Sequence, residues 1–141
     1  VSAGGEAVAV QGDVAEEADV GRIMQAALDA FGTIDILVCN AGTGFIRPFL
    51  EIPLDERERT YAVNLRGTFL CAQAAARIMV ENGVRGRIIA TSSIMALMSG
   101  NGRLLLGTYA RCCPRSRPRR RTFCKMFSDS PAATCLGRAP S

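Results

Sequence analysis

The sequence predicts an α/β fold on a doubly wound, largely parallel sheet. Three short apolar runs, Ala7–Val10, Ile34–Cys39 and Arg87–Thr91, are separated by two long stretches with helical spacing. That alternation is the pattern of β-α-β units with right-handed crossovers and helices on both faces. The longest charge-free stretch, Ile88 to Gly102, is broken by Thr, Ser, Asn and Gly, and falls short of the ~18 apolar residues that cross a bilayer. A membrane span is therefore excluded from the expectation.

Each element has its own warrant. Ala7-Val8-Ala9-Val10 lies between Gly5 and Gly12 and is apolar on both faces, which suits a buried parallel strand at residues 6–11. Val20, Ile23, Met24, Ala27, Leu28 and Phe31 then recur at helical intervals, and Gly32 closes the helix. The second strand ends in Asn40-Ala41-Gly42, whose small residues signal a turn. Asp55 is a plausible helix cap, with Glu56 and Glu58 favourable in the first turn. The helix it opens is long: Tyr61, Leu65, Phe69, Ala72, Ala76 and Met79 step by threes and fours until Asn82-Gly83. The third strand runs from Arg87 into Ser92-Ser93. Ligands bind beyond the carboxyl ends of strands in such sheets, so Asp13, Asn40–Gly42 and Ser92-Ser93 converge on one edge by topology alone.

Composition divides the chain at Ala110/Arg111. Residues 1–110 hold nine Arg against twelve acidic residues, whereas residues 111–141 hold eight basic residues, one Asp, four of the six Cys and four of the six Pro. The expected organisation is a domain over 1–110 and an irregular basic tail over 111–141. The tail lacks interleaved aromatics, so no nucleic-acid partner is expected. Its Cys lack paired C-x-x-C spacing and the chain has no His, so no metal site is expected. The thiols read as free in a reducing cytoplasm. The chain opens on Val1 without a charged lead-in and reads as cut from a longer protein.

Gly12-Asp13-Val14, Asn40-Ala41-Gly42, Tyr61-Ala62-Val63-Asn64-Leu65, Gly86-Arg87-Ile88-Ile89 leading to Ser92-Ser93, and Tyr109 occur in an order and spacing that resemble the short-chain dehydrogenase/reductase family, classical branch. The resemblance implies a partial Rossmann-like sheet and hydride transfer between NAD or NADP and an alcohol or carbonyl substrate. It implies a family-type homo-oligomer. It also assigns roles. Asp13, with Val14 beside it, would bind the adenine; Asn40, Ala41 and Gly42 would pass close to the cofactor ribose. Asn64 would hold a water of the proton relay, Ser93 would hydrogen-bond the substrate oxygen, and Tyr109 would pass the proton and lie against the cofactor.

Departures from the family pattern matter as much. A phenol of pKa ~10 is a poor base at neutral pH unless a cation depresses it. The family places a Lys four residues after the Tyr, and here Cys113 stands there. Cys39 replaces the Asn that usually precedes Asn40. The glycine-rich pyrophosphate loop and the first β-α-β unit would lie before Val1. The expectation is an oxidoreductase impaired in this exact chain, or else a noncatalytic fragment that associates with an intact homologue. The Arg-, Pro- and Cys-rich tail reads as a shift of reading frame just after Tyr109 or Ala110. Resequencing the coding DNA should reveal a single-base shift that restores Lys four residues beyond Tyr109; a frame that stands as written removes that explanation.

Overall fold

The computed structural model of the protein describes residues 5–93 and the strands at 122–126 and 134–138. In chain order the elements are β1 (Glu6–Val10), α1 (Glu17–Phe31), β2 (Ile36–Cys39), α2 (Leu54–Tyr61), α3 (Thr68–Glu81), β3 (Arg87–Ala90), β4 (Thr122–Met126) and β5 (Thr134–Arg138). A 3-10 turn occupies Phe49–Glu51, and a π-helical stretch, Ala62–Gly67, joins α2 to α3. Tyr109, Cys113 and the loop at 98–107 lie outside the described residues.

The five strands form one sheet in the order β1-β5-β4-β2-β3. β2 pairs parallel with β3 and with β4, while β5 runs antiparallel to both β4 and β1. β1 therefore points the same way as β2 and β3, and all three carboxyl ends meet at one edge. The crossover from β1 through α1 to β2 spans two intervening strands.

α1 forms because Val20, Ile23, Met24 and Ala27 fall on one face and are all buried. Gly32 ends it at φ 75°, a left-handed position that glycine occupies without a Cβ clash, and its N–H bonds to Leu28 O. Cys71, Ala75 and Met79 form the buried face of α3. The helices pack on each other, α1 against β1 and β5 and α3 against β2 and β3. Ile23, Ile34 and Leu37 are fully buried at the centre of this layer. Gly67 abuts the turn after β1: a Cβ there would lie 2.7 Å from Val14 Cγ2 and 3.1 Å from Val14 O.

Several expectations need correction. The described helices lie on one face of the sheet, because both crossovers run toward the same edge and a right-handed connection then puts each helix on the same side. β1 is an edge strand, exposed over most of its length and paired with an antiparallel neighbour, instead of a buried parallel strand. Asp55 does not cap α2; Pro53 occupies that position, and Asp55 lies in the first turn. The long helix is interrupted by the π stretch. The tail is not irregular throughout, since β4 and β5 belong to the sheet. Thr122-Phe123-Cys124 at the head of β4 is of a strand-forming kind that the surrounding Arg and Pro obscure.

Leu37→Ala removes a fully buried side chain from the centre of this layer. It should cost ~2–5 kcal/mol, read as a lower urea midpoint with an unchanged slope.

Candidate functional site

The edge where β1, β2 and β3 end carries the site elements, and hydrogen bonds join them into one frame. Asn64 is the central one. It is 4% exposed. Its Nδ2 donates to Thr43 O at 2.8 Å, and its Oδ1 accepts from Thr43 N–H at 2.8 Å. The buried amide thereby fixes the loop that leaves β2 immediately after Asn40-Ala41-Gly42. Asn64 sits inside the π stretch, a helix irregularity common at functional sites. Thr68 Oγ1 donates to Asn64 O at 2.8 Å and takes up a main-chain acceptor there.

The β2 turn is fixed on its other side by β3. The parallel register sets Cys39 opposite Ala90. Thr91 N–H then donates to Cys39 O at 3.0 Å, and Thr91 Oγ1 donates to Asn40 Oδ1 at 2.8 Å. Ser93 is half-buried and lies two residues beyond Thr91, whereas Ser92 is exposed. Cys39 is a free, buried thiol whose pKa burial pushes up to about 11, so it stays protonated and takes no part in acid–base chemistry at neutral pH.

Asp13 lies at the carboxyl end of β1, and both its oxygens are engaged. Oδ1 accepts from Ala15 N–H at 2.9 Å, and Oδ2 pairs with Arg59 of α2 at 2.7 Å. Asp19 accepts the Asp13 N–H at 2.7 Å, and Arg22 joins Asp19 to Gln11 O. Burial pushes the Asp13 carboxyl up, but the bonds from Arg59 and Ala15 outweigh it and hold the group below the usual carboxylate range. Asp13 is not the helix cap; Glu16 holds that position at α1. Val14 turns its side chain into the core against Gly67.

Beside this frame is a cleft of about 560 Å³, lined by Thr43, Phe45, Ile46, Arg47, Glu56 and Arg59 among others. Arg47 grips Glu56 with two bonds, Nε to Oε2 at 2.9 Å and a terminal nitrogen to Oε1 at 2.7 Å. That pair joins the β2 loop to α2. Among the described residues no cluster of His, Cys, Asp and Glu could hold a metal, and no helix is long and apolar enough to cross a membrane.

The structure thus brings Asp13, Asn40–Gly42, Asn64 and Ser93 to one edge; Tyr109 lies outside the described residues. The sequence reading overlooks Thr43, Arg59 and Thr91. Thr91 could be found from the strand register, which sets it beside Asn40. Arg59 lies between Glu58 and Thr60 on a charged helix, and no local pattern marks its partner.

Because its native pKa is lowered, Asp13 contributes stability that is present above ~pH 5 and lost as pH falls through the carboxylate range. The pair is partly exposed, so the contribution is about 1 kcal/mol or less. Denaturation midpoints between pH 6 and ~3 should fall less for Asp13→Asn than for the parent chain; equal slopes would show that Asp13 does not carry the effect.

Comparison with known proteins agrees with this frame. The short chain dehydrogenase family profile matches residues 1–107. The chain is 44% identical over 97 residues to the L-rhamnose 1-dehydrogenase (NAD(P)(+)) of Sphingomonas sp. (strain SKA58), covering 69% of this chain and 38% of that protein. It is 40% identical over 91 residues to the glucose 1-dehydrogenase of Gluconobacter oxydans (strain 621H), covering 64% of this chain and 34% of the relative. Its fold resembles the crystal structure of a short-chain type dehydrogenase/reductase from Mycobacterium marinum, with TM-score 0.62 and 38% identity over 66% of this chain and 37% of that one. The chain spans little more than a third of the length of these relatives. With a profile match over residues 1–107 and the likeness of its sequence and fold to these relatives, the chain belongs to the short chain dehydrogenase family.

Proposed function

We propose that this chain carries the middle segment of an NAD(P)-dependent oxidoreductase that interconverts a small-molecule alcohol and carbonyl, an aldose being the first substrate class to try. The observation that carries the reading is the buried Asn64, which grips the Thr43 main chain next to Asn40–Gly42 while Thr91 holds Asn40. The names of the rhamnose and glucose dehydrogenases support the cofactor and the substrate class. When bound, the nicotinamide supplies a hydride acceptor or donor. The chain's own residues do the rest. Asp13 would hold the adenine with Val14 beside it, Asn40–Gly42 would pass close to the ribose, Ser93 would hydrogen-bond the substrate oxygen, Asn64 would hold a water of the proton relay, and Tyr109 would move the proton at that oxygen. A cytoplasmic setting and a homo-oligomer belong to the same proposal; Leu65 and Phe69, 52% and 59% exposed on one helical face, support the second.

A second reading concerns this exact chain. Cys113 cannot supply the cation that a Tyr109 phenolate needs. On the other side of the site, β4 is the strand beside β2, and no glycine-rich turn follows it. These favour an impaired or noncatalytic product.

Transplanting the family segment tests the first reading, and tight NADH or NADPH binding by the exact chain would overturn the second. Residues 6–93 placed in the Sphingomonas rhamnose dehydrogenase, in place of its matching segment, should keep NAD(P)-dependent rhamnose oxidation within about tenfold. Asn64→Ala in the hybrid should cut kcat by ~10²-fold, the order of a positioned proton-relay group, without changing its fold. A folded hybrid without activity would overturn the reading. The hybrid's mass in solution, compared with its parent's, reads whether the Leu65 and Phe69 face supports the same assembly.

A further inference from the structure

Two donors of different kinds hold the Asp13 carboxylate. Oδ1 accepts the Ala15 N–H from its own turn, which shapes that turn, and Oδ2 accepts the Arg59 guanidinium from α2, which the turn does not require. Among the described residues Arg22 pairs with Asp19, Arg47 with Glu56 and Arg57 with Glu58, while Arg59 pairs with Asp13 alone. Neither side chain is closed off: Arg59 is 55% exposed and Asp13 31%. Arg59 also lines the cleft beside α2. A ligand at the carboxyl end of β1 can therefore reach the pair.

The charge state of Asp13 decides what that ligand can be. An ionised carboxylate only accepts, through about four lone-pair directions, whereas a protonated one also donates. Ala15 and Arg59 take two of those directions, so Asp13 can still accept an N–H. When the ribose lies near Asn40–Gly42, as in the family reading, the 6-position of a purine meets Asp13. The amine of a 6-aminopurine donates to the carboxylate. The carbonyl of a 6-oxopurine meets it lone pair to lone pair, and fits only if the carboxyl carries a proton. A flat base laid on this edge removes water from Asp13, and burial is the influence that already pushes its carboxyl up. Asp19 pushes the same way, and Arg22 is engaged by Asp19 and Gln11 O. Arg59 is the cation left to oppose them.

We propose that Arg59 is a positioning residue for base selection: by holding Asp13 in its acceptor form, it makes this edge take a 6-aminopurine and reject a 6-oxopurine. Arg59 acts through Asp13 and need not touch the base. Its partner role also explains why a cation on the exposed side of α2 reaches across to the β1 turn. The proposal rests on the family reading for the dinucleotide that carries the base.

Adenosine and inosine test this in the full 141-residue chain, because neutral nucleosides give its basic residues no charge to attract. Followed by the carboxyl carbon resonance of Asp13, adenosine should bind in the millimolar range and at least ~10-fold more tightly than inosine, the order of one unmatched hydrogen bond. That preference should hold from ~pH 5 to ~pH 8. In Arg59→Leu the two nucleosides should bind within about threefold of each other at ~pH 5, and the preference should return by ~pH 8 as the unpartnered carboxyl ionises. Arg59→Lys, which keeps a cation, should retain the preference at both. A purely structural tie would weaken both nucleosides alike at every pH. Absence of adenosine binding, equal binding of the two by the parent chain, or a preference that survives in Arg59→Leu at ~pH 5 would each overturn the proposal. The rhamnose dehydrogenase hybrid keeps the two readings apart. A hybrid as active with reduced nicotinamide hypoxanthine dinucleotide as with NADH overturns the role of Arg59 and leaves the family reading standing. A folded, inactive hybrid overturns the family reading, and the nucleoside preference still decides the role of Arg59.

Discussion

The Asn64 amide and the Thr43 main chain satisfy each other, and the site edge depends on that exchange. An amide buried to this degree must find both a donor and an acceptor, since leaving either unmet costs ~1–3 kcal/mol. Thr43 offers both from one residue, which fixes the exit of β2 relative to the helix. The π stretch places Asn64 where it can reach the loop, and Gly67 lets the same segment settle against Val14. Three elements, the β1 turn, the β2 turn and the helix, are thereby fixed within a few residues of one another. Thr91 then adds the end of β3 through Asn40.

Much of this was legible in the sequence. Apolar runs between glycines give β1, β2 and β3, and the spacing of Val20, Ile23, Met24 and Ala27 gives α1 with its buried face. Period and punctuation are local properties, and local properties can be read along a chain. The edge at which Asp13, Asn40 and Ser93 meet follows as well, because crossover handedness fixes where strands end. What escaped was nonlocal. Arg59 meets Asp13 across the fold, and nothing near either residue announces the pair. The exposure of β1 depends on which strand lies beside it. The strands β4 and β5 hide among Arg and Pro, because a five-residue strand carries little signal of its own and takes its stability from neighbours.

The charged groups around the cleft form ties between elements. Arg59 joins α2 to the β1 turn and Arg47 joins α2 to the β2 loop, so α2, which buries little else than Thr60, is tied at two points by arginine bridges. Exposed ion pairs are weak one by one. Together they position a helix whose apolar contribution is small, and they set the Asp13 carboxylate facing α2 instead of solvent. Any ligand that seeks Asp13 must share it with Arg59.

The place of β4 and β5 has a consequence for how the chain acquires its structure. Glu6 pairs with Arg138, so residues far apart in the sequence are neighbours in one sheet. Contacts of such long sequence separation are slow to form, because closing the intervening loop costs entropy before any contact rewards it. During synthesis β1, α1 and β2 emerge before β4 and β5, which lie between β1 and β2 in the sheet. The pairing of β1 with β5 therefore waits until both have been made, long after α1 has emerged.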